Sequence, residues 1–150
     1  MATPTSLPTS LTLHIVTPDR SLVLEQVDEV EIPGSEGYLG VLPGHTPLLT
    51  TLQVGEVWYR KGTATSYMSV AFGFAEIVPD RVTLLAQIAE KAEEIDVTRA
   101  EQAQRRAQAR LATPTLEMDF ERARIALMKS LIRLQVASKA ARTRPRAGPA

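Results

Sequence analysis

The chain of 150 residues contains no cysteine, and aromatic residues make up only 5% of it. Without cysteine, a disulfide framework and a thiolate metal site are both excluded. No apolar run approaches the roughly 18 residues that a membrane-spanning helix needs, because the longest candidate, residues 70–75, is interrupted by a glycine. The protein is therefore predicted to be cytosolic or to reach a membrane only through partners.

A set of residues typical of a catalytic site is also missing. The sequence contains neither a P-loop nor a Gly-x-Ser-x-Gly motif. Its two histidines, His14 and His45, have no neighbouring carboxylate at ligand spacing, and two scattered histidines without cysteine make a poor metal set. His14 falls within a predicted strand, and His45 is expected to fix the loop that contains it. The sequence predicts no catalytic residue and no metal site.

Both ends of the chain have compositions that do not favour packed structure. Residues 1–10 are polar and contain proline, without the basic start and apolar stretch of a signal peptide. Residues 142–150 hold three Arg, two Pro and one Gly. We predict a disordered extension at residues 1–10 and a disordered basic tail at residues 142–150.

A net charge of zero conceals two halves of opposite sign. Residues 1–96 contain 5 Lys and Arg against 13 Asp and Glu, a balance of −8, and residues 97–150 contain 12 against 4, a balance of +8. Such asymmetry indicates two parts with different partners. The alternative is a basic segment that lies on an acidic domain of the same chain, and both arrangements can exist in different states.

Residues 11–88 carry the pattern of short strands. Turn sequences rich in Gly, Pro and Asp separate stretches in which apolar and polar residues alternate. The apolar residues assigned to a single face within their stretches are Leu11, Leu13, Ile15, Met68, Val70, Phe72, Phe74, Val82, Leu84 and Ala86. Strands of this length at this spacing, without a helical period between them, predict an all-β sandwich or barrel.

Residues 89–141 change in character and predict a linker followed by two helices. Residues 97–112 contain no Gly or Pro and are rich in Ala, Gln and Arg, which favour helix. Asp96 stands at the position of an N-cap, and the Thr-Pro-Thr sequence at 113–115 ends the first helix. A second helix is predicted from about residue 116 to residue 141.

The two predicted helices form an antiparallel hairpin with small apolar side chains at its seam. The first helix offers Ala100, Ala103, Ala107 and Leu111. The stripe predicted on the second consists of Phe120, Ala123, Leu127, Leu131 and Leu134, widened by Ile125, Met128, Ile132 and Val136. Small side chains bury little area at about 25 cal/mol per Å². We therefore expect a hairpin that can leave its docking site.

The most distinctive passage is EIPGSEGYLGVLPGHTPLL at residues 31–49. It resembles the signature of the epsilon subunit of bacterial F-type ATP synthases, whose Gly-x-Leu/Ile-Gly-x-Leu-Pro-Gly-His-x-Pro core corresponds to residues 37–47. The resemblance extends from residue 11 to about residue 136. Three further motifs occur in the same order: Thr-Pro-Asp at 17–19, Val-Ala-Phe-Gly-Phe at 70–74 and Val-Thr-Leu-Leu-Ala at 82–86.

This resemblance implies a non-catalytic rotor subunit in the central stalk of a proton-translocating enzyme. Its fold would be a β-sandwich of about ten short strands that packs on the gamma subunit and the ring of c subunits, followed by the helical hairpin. The loop residues Gly37, Leu39 and His45 would lie on the side of the c ring and gamma. The hairpin would oppose ATP hydrolysis when extended. The location implied is the cytoplasmic side of the bacterial plasma membrane, with membrane association only through the complex.

A second motif resembles an element with which some epsilon subunits bind ATP. Residues 95–100 match its Ile/Leu-Asp-x-x-Arg-Ala pattern. The family pattern adds two arginines on the second helix, where this chain has Lys129 and Arg133; the lysine departs from the pattern, because it offers no bidentate fork. The resemblance implies no required cofactor and a regulatory ATP site that comprises Ile95, Asp96, Arg99, Ala100, Lys129 and Arg133. The alternative is that Asp96 is simply a helix cap and Arg99 a solvated residue.

The basic residues of the hairpin have a further role in the family. There, hairpin cations face an acidic segment of the catalytic beta subunits, and the corresponding candidates here are Arg105, Arg106, Arg110, Arg122 and Arg124, with Lys129 as a sixth. A solvated helix face is the alternative for each. A nucleic-acid surface is not predicted, because only Phe120 accompanies the basic residues. The competing hypotheses for the whole protein are a stand-alone β-sandwich binding module with a regulatory hairpin, and a hydrolase.

Overall fold

The computed structural model describes residues 6–115 and 119–144. The strands are β1 (Leu11–Val16), β2 (Ser21–Val27), β3 (Glu29–Gly34), β4 (Gly37–Val41), β5 (Leu48–Leu52), β6 (Gly55–Lys61), β7 (Ala64–Val78) and β8 (Arg81–Lys91). A 3₁₀ turn at Ala92–Glu94 leads into the helices α1 (Val97–Ala112) and α2 (Phe120–Thr143). The predicted fold class, a β-domain followed by a helical hairpin, is confirmed.

The strands form a hydrogen-bonded network in the order β2-β1-β8-β7-β5-β3-β4, with β6 paired to β3 and β7. All neighbours are antiparallel except β1 and β8. β7 changes partner along its length, since residues 64–70 pair with β6 and residues 73–77 pair with β5. Side chains from both halves of β7 belong to one buried cluster. The network is thus folded over that cluster as a β-sandwich.

The structure has eight strands in its described residues, so the expected number of about ten is too high. The difference comes from β7 and β8, which are 15 and 11 residues long. Each continues from one part of the sandwich into the other without a break. β8 ends at Lys91, three residues beyond the predicted domain boundary at 88.

A bend within β7 explains how one strand serves both parts. Phe72 has φ 61° and Gly73 has φ 121°, both in the left-handed region. The bend reverses the inward parity of the strand: Met68 and Val70 are buried before it, and Ala75 and Ile77 after it. The prediction that Phe72 and Phe74 share one face with Met68 and Val70 is therefore wrong. Phe72 is partly exposed, and Phe74 is exposed.

Gly73 is expected to be essential for this bend. A Cβ on Gly73 would collide with the carbonyl oxygen of Leu85 on the neighbouring strand, and its φ disfavours any other residue. Gly37 has a similar φ of 123° but open space around it. Gly37→Ala therefore measures the cost of the unfavourable φ without a steric collision. We expect Gly73→Ala to lower the free energy of unfolding by about 3 kcal/mol or more, and Gly37→Ala by about 1 kcal/mol. Equal losses in urea titrations would contradict a steric requirement at Gly73.

The remaining strand pattern agrees with the structure. Leu11, Leu13 and Ile15 on β1 are buried, as are the alternating apolar residues of β8 at positions 82, 84 and 86. The cluster of buried side chains in the sandwich is formed by β1 to β8 and contains no residue of the helices. The sandwich therefore has a hydrophobic core of its own.

Both helices begin at an aspartate. The Asp96 carboxylate accepts a hydrogen bond from the Arg99 backbone N–H at 3.0 Å, which confirms the predicted N-cap. Asp119 accepts from the Arg122 backbone N–H at 3.0 Å in the same way. α2 is described from Phe120; residues 116–118, where its start was predicted, lie outside the described residues.

The predicted disordered ends are only partly covered by the structure. α2 continues to Thr143, so the first two residues of the predicted basic tail are helical. Ser10, in the predicted extension, donates a hydrogen bond to the side chain of Gln26 at 3.0 Å. Residues 1–5 and 145–150 lie outside the described residues. Neither described helix has a stretch apolar enough and long enough to span a membrane.

The helices pack antiparallel through small side chains. The buried residues are Ala100 and Ala107 on α1 and Ala123, Ser130 and Val136 on α2. This agrees with the predicted alanine seam on α1. On α2, however, Phe120 and Leu131 are exposed although they were assigned to the apolar stripe. The buried face of α2 instead includes Ala123, Ser130 and Val136, and Ile132 packs in the small cluster with Val136.

Candidate functional site

An open cleft of about 440 Å³ separates the sandwich from the hairpin. Its charged lining consists of Arg99 on α1, Lys129 and Arg133 on α2, and Glu90 on β8. Its apolar lining includes Val54, Val70, Ala71, Ile88 and Ile132. Three of the six residues predicted for an ATP site thus meet in one place, although they come from two helices and lie up to 34 positions apart in the chain.

Arg133 is held in this cleft by a carboxylate. Its Nε donates to Oε2 of Glu90 at 2.7 Å and its Nη2 donates to Oε1 at 3.2 Å. The two side chains are only 20% and 28% exposed. This bidentate arrangement fixes the guanidinium more firmly than a surface ion pair would. Any anion that binds Arg133 must therefore compete with Glu90.

Lys129 and Arg99 form the more open part of the cationic lining. The Nζ of Lys129 lies 5.6 Å from the ring centroid of Phe72, at the distance of a cation–π contact. Phe72 lies at the bend of β7, where its own φ is positive, and its ring faces the hairpin at Lys129. Arg99 is exposed on the first turn of α1.

The other three predicted residues of this site do not line the cleft. Asp96 caps α1, as described above. Ile95 is buried in a small apolar cluster with Ala92 and Val136, against which Tyr67, Ile132, Ala137 and Ala140 pack. Ala100 is fully buried where α1 meets the rest of the hairpin. These residues position the basic side chains rather than face the cleft.

Sequence reasoning missed Glu90. The sequence offered one indication of its role, because Glu90 is a carboxylate near the end of β8 that precedes the motif at residues 95–100 by a few positions. Its partner Arg133 lies 43 residues further along, so no local pattern connects the two. Only the packing of α2 across β7 brings them together.

The hairpin touches the sandwich mainly through α2, which contacts β6, β7 and the 3₁₀ turn. A second ion pair crosses this interface, from Lys139 to Glu56 on β6 at 2.8 Å. The acidic and basic halves of the chain therefore meet within the molecule, as one of the two interpretations of the charge asymmetry predicted.

The predicted partner-binding loop residues differ in their surroundings. Gly37 is exposed with φ 123° at the β3–β4 turn. Leu39 is partly buried and packs against the sandwich core. His45 donates from Nδ1 to the carbonyl of Thr46 at 2.6 Å, so its ring fixes the loop as expected. The same region of the chain contains four exposed apolar or aromatic residues, Tyr38, Leu42, Leu48 and Leu49. Their exposure was not predicted from the sequence.

The arginines predicted to face an acidic partner are exposed. They are Arg105, Arg106 and Arg110 on α1 and Arg122 and Arg124 on α2. Arg124 donates from Nε to Glu121 at 3.1 Å within the same helix. This hydrogen bond lowers the pKa of the Glu121 carboxyl and raises the pKa of Arg124. No group of three or more potential metal ligands of the His, Cys, Asp or Glu type occurs in the described ranges.

Two family profiles match the chain in succession. The first, described as the beta-sandwich domain of the ATP synthase Delta/Epsilon chain, covers residues 10–92. The second, described as the long alpha-helix domain of the same chain, covers residues 93–138.

Individual proteins and structures agree with these profiles. The ATP synthase epsilon chain 1 of Syntrophotalea carbinolica is 47% identical over 133 residues, which are 88% of this chain and 96% of that protein. A chain in the OSCP/F1/c-ring structure of the Euglena gracilis mitochondrial ATP synthase has a TM-score of 0.76 at 25% identity, over 93% of this chain and 85% of that one. A chain in the central stalk/c-ring structure of the Tetrahymena thermophila enzyme shares the fold, with a TM-score of 0.51 at 12% identity over 87% and 95%.

Proposed function

The chain belongs to the delta/epsilon chain family of ATP synthases, as an epsilon chain, and on this basis we propose that it is a non-catalytic central-stalk subunit with a movable regulatory hairpin. The sandwich couples gamma to the c ring. The hairpin inhibits ATP hydrolysis when it leaves the sandwich and extends towards the catalytic beta subunits. Membrane association, on the cytoplasmic side of the bacterial plasma membrane, is only through the complex.

The observation that carries this proposal is the presence of two separate apolar clusters. The large one lies inside the sandwich and includes no residue of the hairpin. The small one, built around Ala92, Ile95 and Val136, is the main apolar contact between the hairpin and the rest of the chain. Undocking the hairpin would thus leave the sandwich core closed. Elements of low local stability of this kind are the ones that move in regulated proteins.

The sandwich contacts proposed for the stalk involve the β3–β4 turn and the loop after β4. Gly37 and His45 lie there together with exposed Leu42, and exposed Leu48 and Leu49 follow at the start of β5. Grouped exposed apolar residues favour a protein contact. Leu39 packs inwards, so it would act by holding the loop rather than by direct contact.

This part of the proposal is tested by isolating the full-length chain under native conditions. Gamma and the c subunits are expected to be retained with it, and the catalytic subunits through gamma. Leu42→Asp should reduce the recovery of gamma and the c ring, whereas Leu24→Asp, an exposed change on β2, should not. If the unchanged chain, Leu42→Asp and Leu24→Asp recover gamma and the c ring equally, the loop is excluded as a contact.

ATP is proposed as a regulatory ligand of the cleft. The volume of about 440 Å³ lies within the usual range for small-molecule sites. Arg99, Lys129 and Arg133 supply positive charge for phosphates, and the apolar wall supplies a surface for a base. Lys129 offers a point charge where the family pattern has an arginine. The contact between Arg133 and Glu90 must open for that arginine to reach a ligand.

Arg99→Ala is expected to weaken ATP binding about tenfold or more, the effect of losing one charged hydrogen bond. The matched control is Arg106→Ala, which removes the same charge from an exposed position of the same helix that does not line the cleft. It should change affinity less than twofold. Isothermal titration of the isolated chain with MgATP measures both. Similar losses in the two variants would indicate diffuse electrostatic attraction without a defined site.

A further inference from the structure

Glu56 on β6 is the one buried acidic residue among those described, with 4% exposure. It lies on the face of the sandwich that α2 covers. Its cross-strand neighbour Ser69 is also buried. An ionised carboxylate at such a position is costly unless charged or hydrogen-bonding partners compensate for the lost water.

In the described structure the compensating partners of the carboxylate come from the hairpin. The Nζ of Lys139 donates to Oε1 at 2.8 Å, and Nε2 of Gln135 donates to Oε2 at 3.2 Å. The two donors lie four positions apart on α2 and therefore on one face of the helix. The sandwich residue Tyr38 satisfies the backbone of Glu56 and not its carboxylate: the N–H of Glu56 donates to the Tyr38 hydroxyl at 3.1 Å.

The two members of the ion pair are unequal. The side chain of Lys139 is 43% exposed, whereas that of Glu56 is 5% exposed. If the pair is broken while the hairpin stays docked, Lys139 can turn to water but Glu56 cannot. Departure of α2 would expose the Glu56 carboxylate fully to water. The docked position of the hairpin therefore depends on the hydrogen bonds that α2 donates to this one carboxylate.

This contact is separate from the cleft that carries Arg99 and Arg133. It borders another hollow, of about 510 Å³, which Trp58, Tyr67 and Arg142 also line. Arg133–Glu90 lies in the first cleft, where an anionic ligand would disturb it. Glu56, Gln135 and Lys139 are not among the residues that line that cleft.

We propose that Glu56, Gln135 and Lys139 form a latch that holds the hairpin on the sandwich in the absence of nucleotide, and that its release is a required step of hairpin extension. The inference rests on the proposed function in one respect, namely that the hairpin leaves the sandwich. It adds that docking in this chain does not depend on a ligand in the cleft.

A positive charge on Lys139 is one condition for a closed latch. The hydrogen bond to Glu56 raises the pKa of Lys139 above its model-compound value of 10.5. A raised pKa means that the stabilisation is fully present below that value and is lost only as pH rises through the higher pKa of the docked state. The other charged groups around the hollow are Glu29, Arg60 and Arg142. The hydroxyl groups of Tyr67 and Tyr38 also raise the pKa of Lys139 electrostatically. Proton release at neutral pH is therefore not the opening signal.

The absence of cysteine allows a direct test in the isolated full-length chain. Spin labels are placed on Thr63→Cys, in the β6–β7 turn, and Gln108→Cys, on α1; both positions are exposed. Pulsed electron paramagnetic resonance then gives the docked and undocked fractions without nucleotide. The single tryptophan, Trp58, lines the hollow and reports the same event by fluorescence without labels.

Lys139→Met should raise the ratio of undocked to docked molecules at least tenfold, because Glu56 would lose its charged partner. Glu56→Gln should have a smaller effect, and the double change Glu56→Gln with Lys139→Met should return the ratio to within about threefold of the parent, since no buried charge remains. Arg81→Met is the matched control, because the ion pair of Arg81 with Glu76 stays within the sandwich. It should leave the ratio unchanged.

The latch is overturned if the parent is already undocked without nucleotide, if Lys139→Met is as docked as the parent, or if the double variant is as open as Lys139→Met. The circular dichroism of the sandwich checks that every variant is folded. A failure here can be told apart from a failure of the proposed brake. The brake is measured as hydrolysis by the assembled enzyme, whereas the latch is measured in the isolated chain.

Discussion

Removing residues 97–150 is expected to raise ATP hydrolysis by the assembled enzyme by about fivefold or more, the lower end of ordinary coupling between sites. ATP synthesis driven by the proton gradient should change little. The physical reason is that the deletion removes the proposed brake, while the sandwich core contains no residue of the helices and stays intact. Rates of hydrolysis and synthesis are compared for the intact and truncated enzymes in the same membranes.

A charge-reversed enzyme separates electrostatic contact from steric obstruction. Changing Arg105, Arg106 and Arg122 to Glu should reproduce part of the gain in hydrolysis, because an acidic surface of the beta subunits would repel the extended hairpin. All three residues are exposed in the docked state. Salt near 1 M should reduce the difference between intact and reversed enzymes, as the Debye length falls to about 3 Å.

Unchanged hydrolysis in the truncated enzyme would rule out the brake. The hairpin would then be an ATP-binding or assembly element. If truncation accelerates hydrolysis but charge reversal does not, the brake would work by occupying space and not through the arginines. The salt series distinguishes these cases, since steric obstruction is insensitive to screening.

The second large effect concerns the sandwich alone. A protein ending at Glu94 is expected to fold cooperatively, because the large cluster of buried residues is complete within β1 to β8. It keeps the contact of Arg20 with Glu94 at 2.7 Å, which lowers the pKa of that carboxyl. The small contribution of this exposed pair is present above the ordinary pKa of Glu and is lost as pH falls through the lowered value.

A protein ending at Ala89 provides the comparison. It lacks Glu90 and Lys91, which pair with Ser69 and Met68 on β7. At roughly 1 kcal/mol for each lost backbone hydrogen bond, it should be less stable than the longer protein by about 2 kcal/mol. Thermal unfolding followed by circular dichroism measures both. An unfolded protein ending at Glu94 would mean that the helices are needed for the core, and that the two-part organisation is wrong.

The strand residues show how far local pattern extends. Alternation assigned the inward faces of β1 and the first part of β8 correctly, because period two is a property of any straight strand. It failed at Phe72 and Phe74, because a bend with positive φ reverses the parity within β7. The glycine at position 73 marked the place, but the direction of the bend depends on the strand packed beside it.

In the candidate site, too, some residues follow from local sequence patterns and others only from tertiary packing. The helix cap at Asp96 follows from a local rule and was predicted. The resemblance to a known motif pointed to Arg99, Lys129 and Arg133, which the structure brings to one cleft. Glu90 and Glu56 escaped detection, because their partners lie 43 and 83 residues away.

The sequence alone determined the β-domain, the helical hairpin, the alanine seam between the helices and the opposite charges of the two halves. These features depend on propensity, period and composition, which act over a few residues or add up along the chain. The tertiary structure alone decided that strands β7 and β8 cross from one part of the sandwich to the other, and which carboxylates meet the basic hairpin. Those outcomes depend on which surfaces come into contact, since a buried carboxylate and its distant lysine share no local signal until the chain has folded.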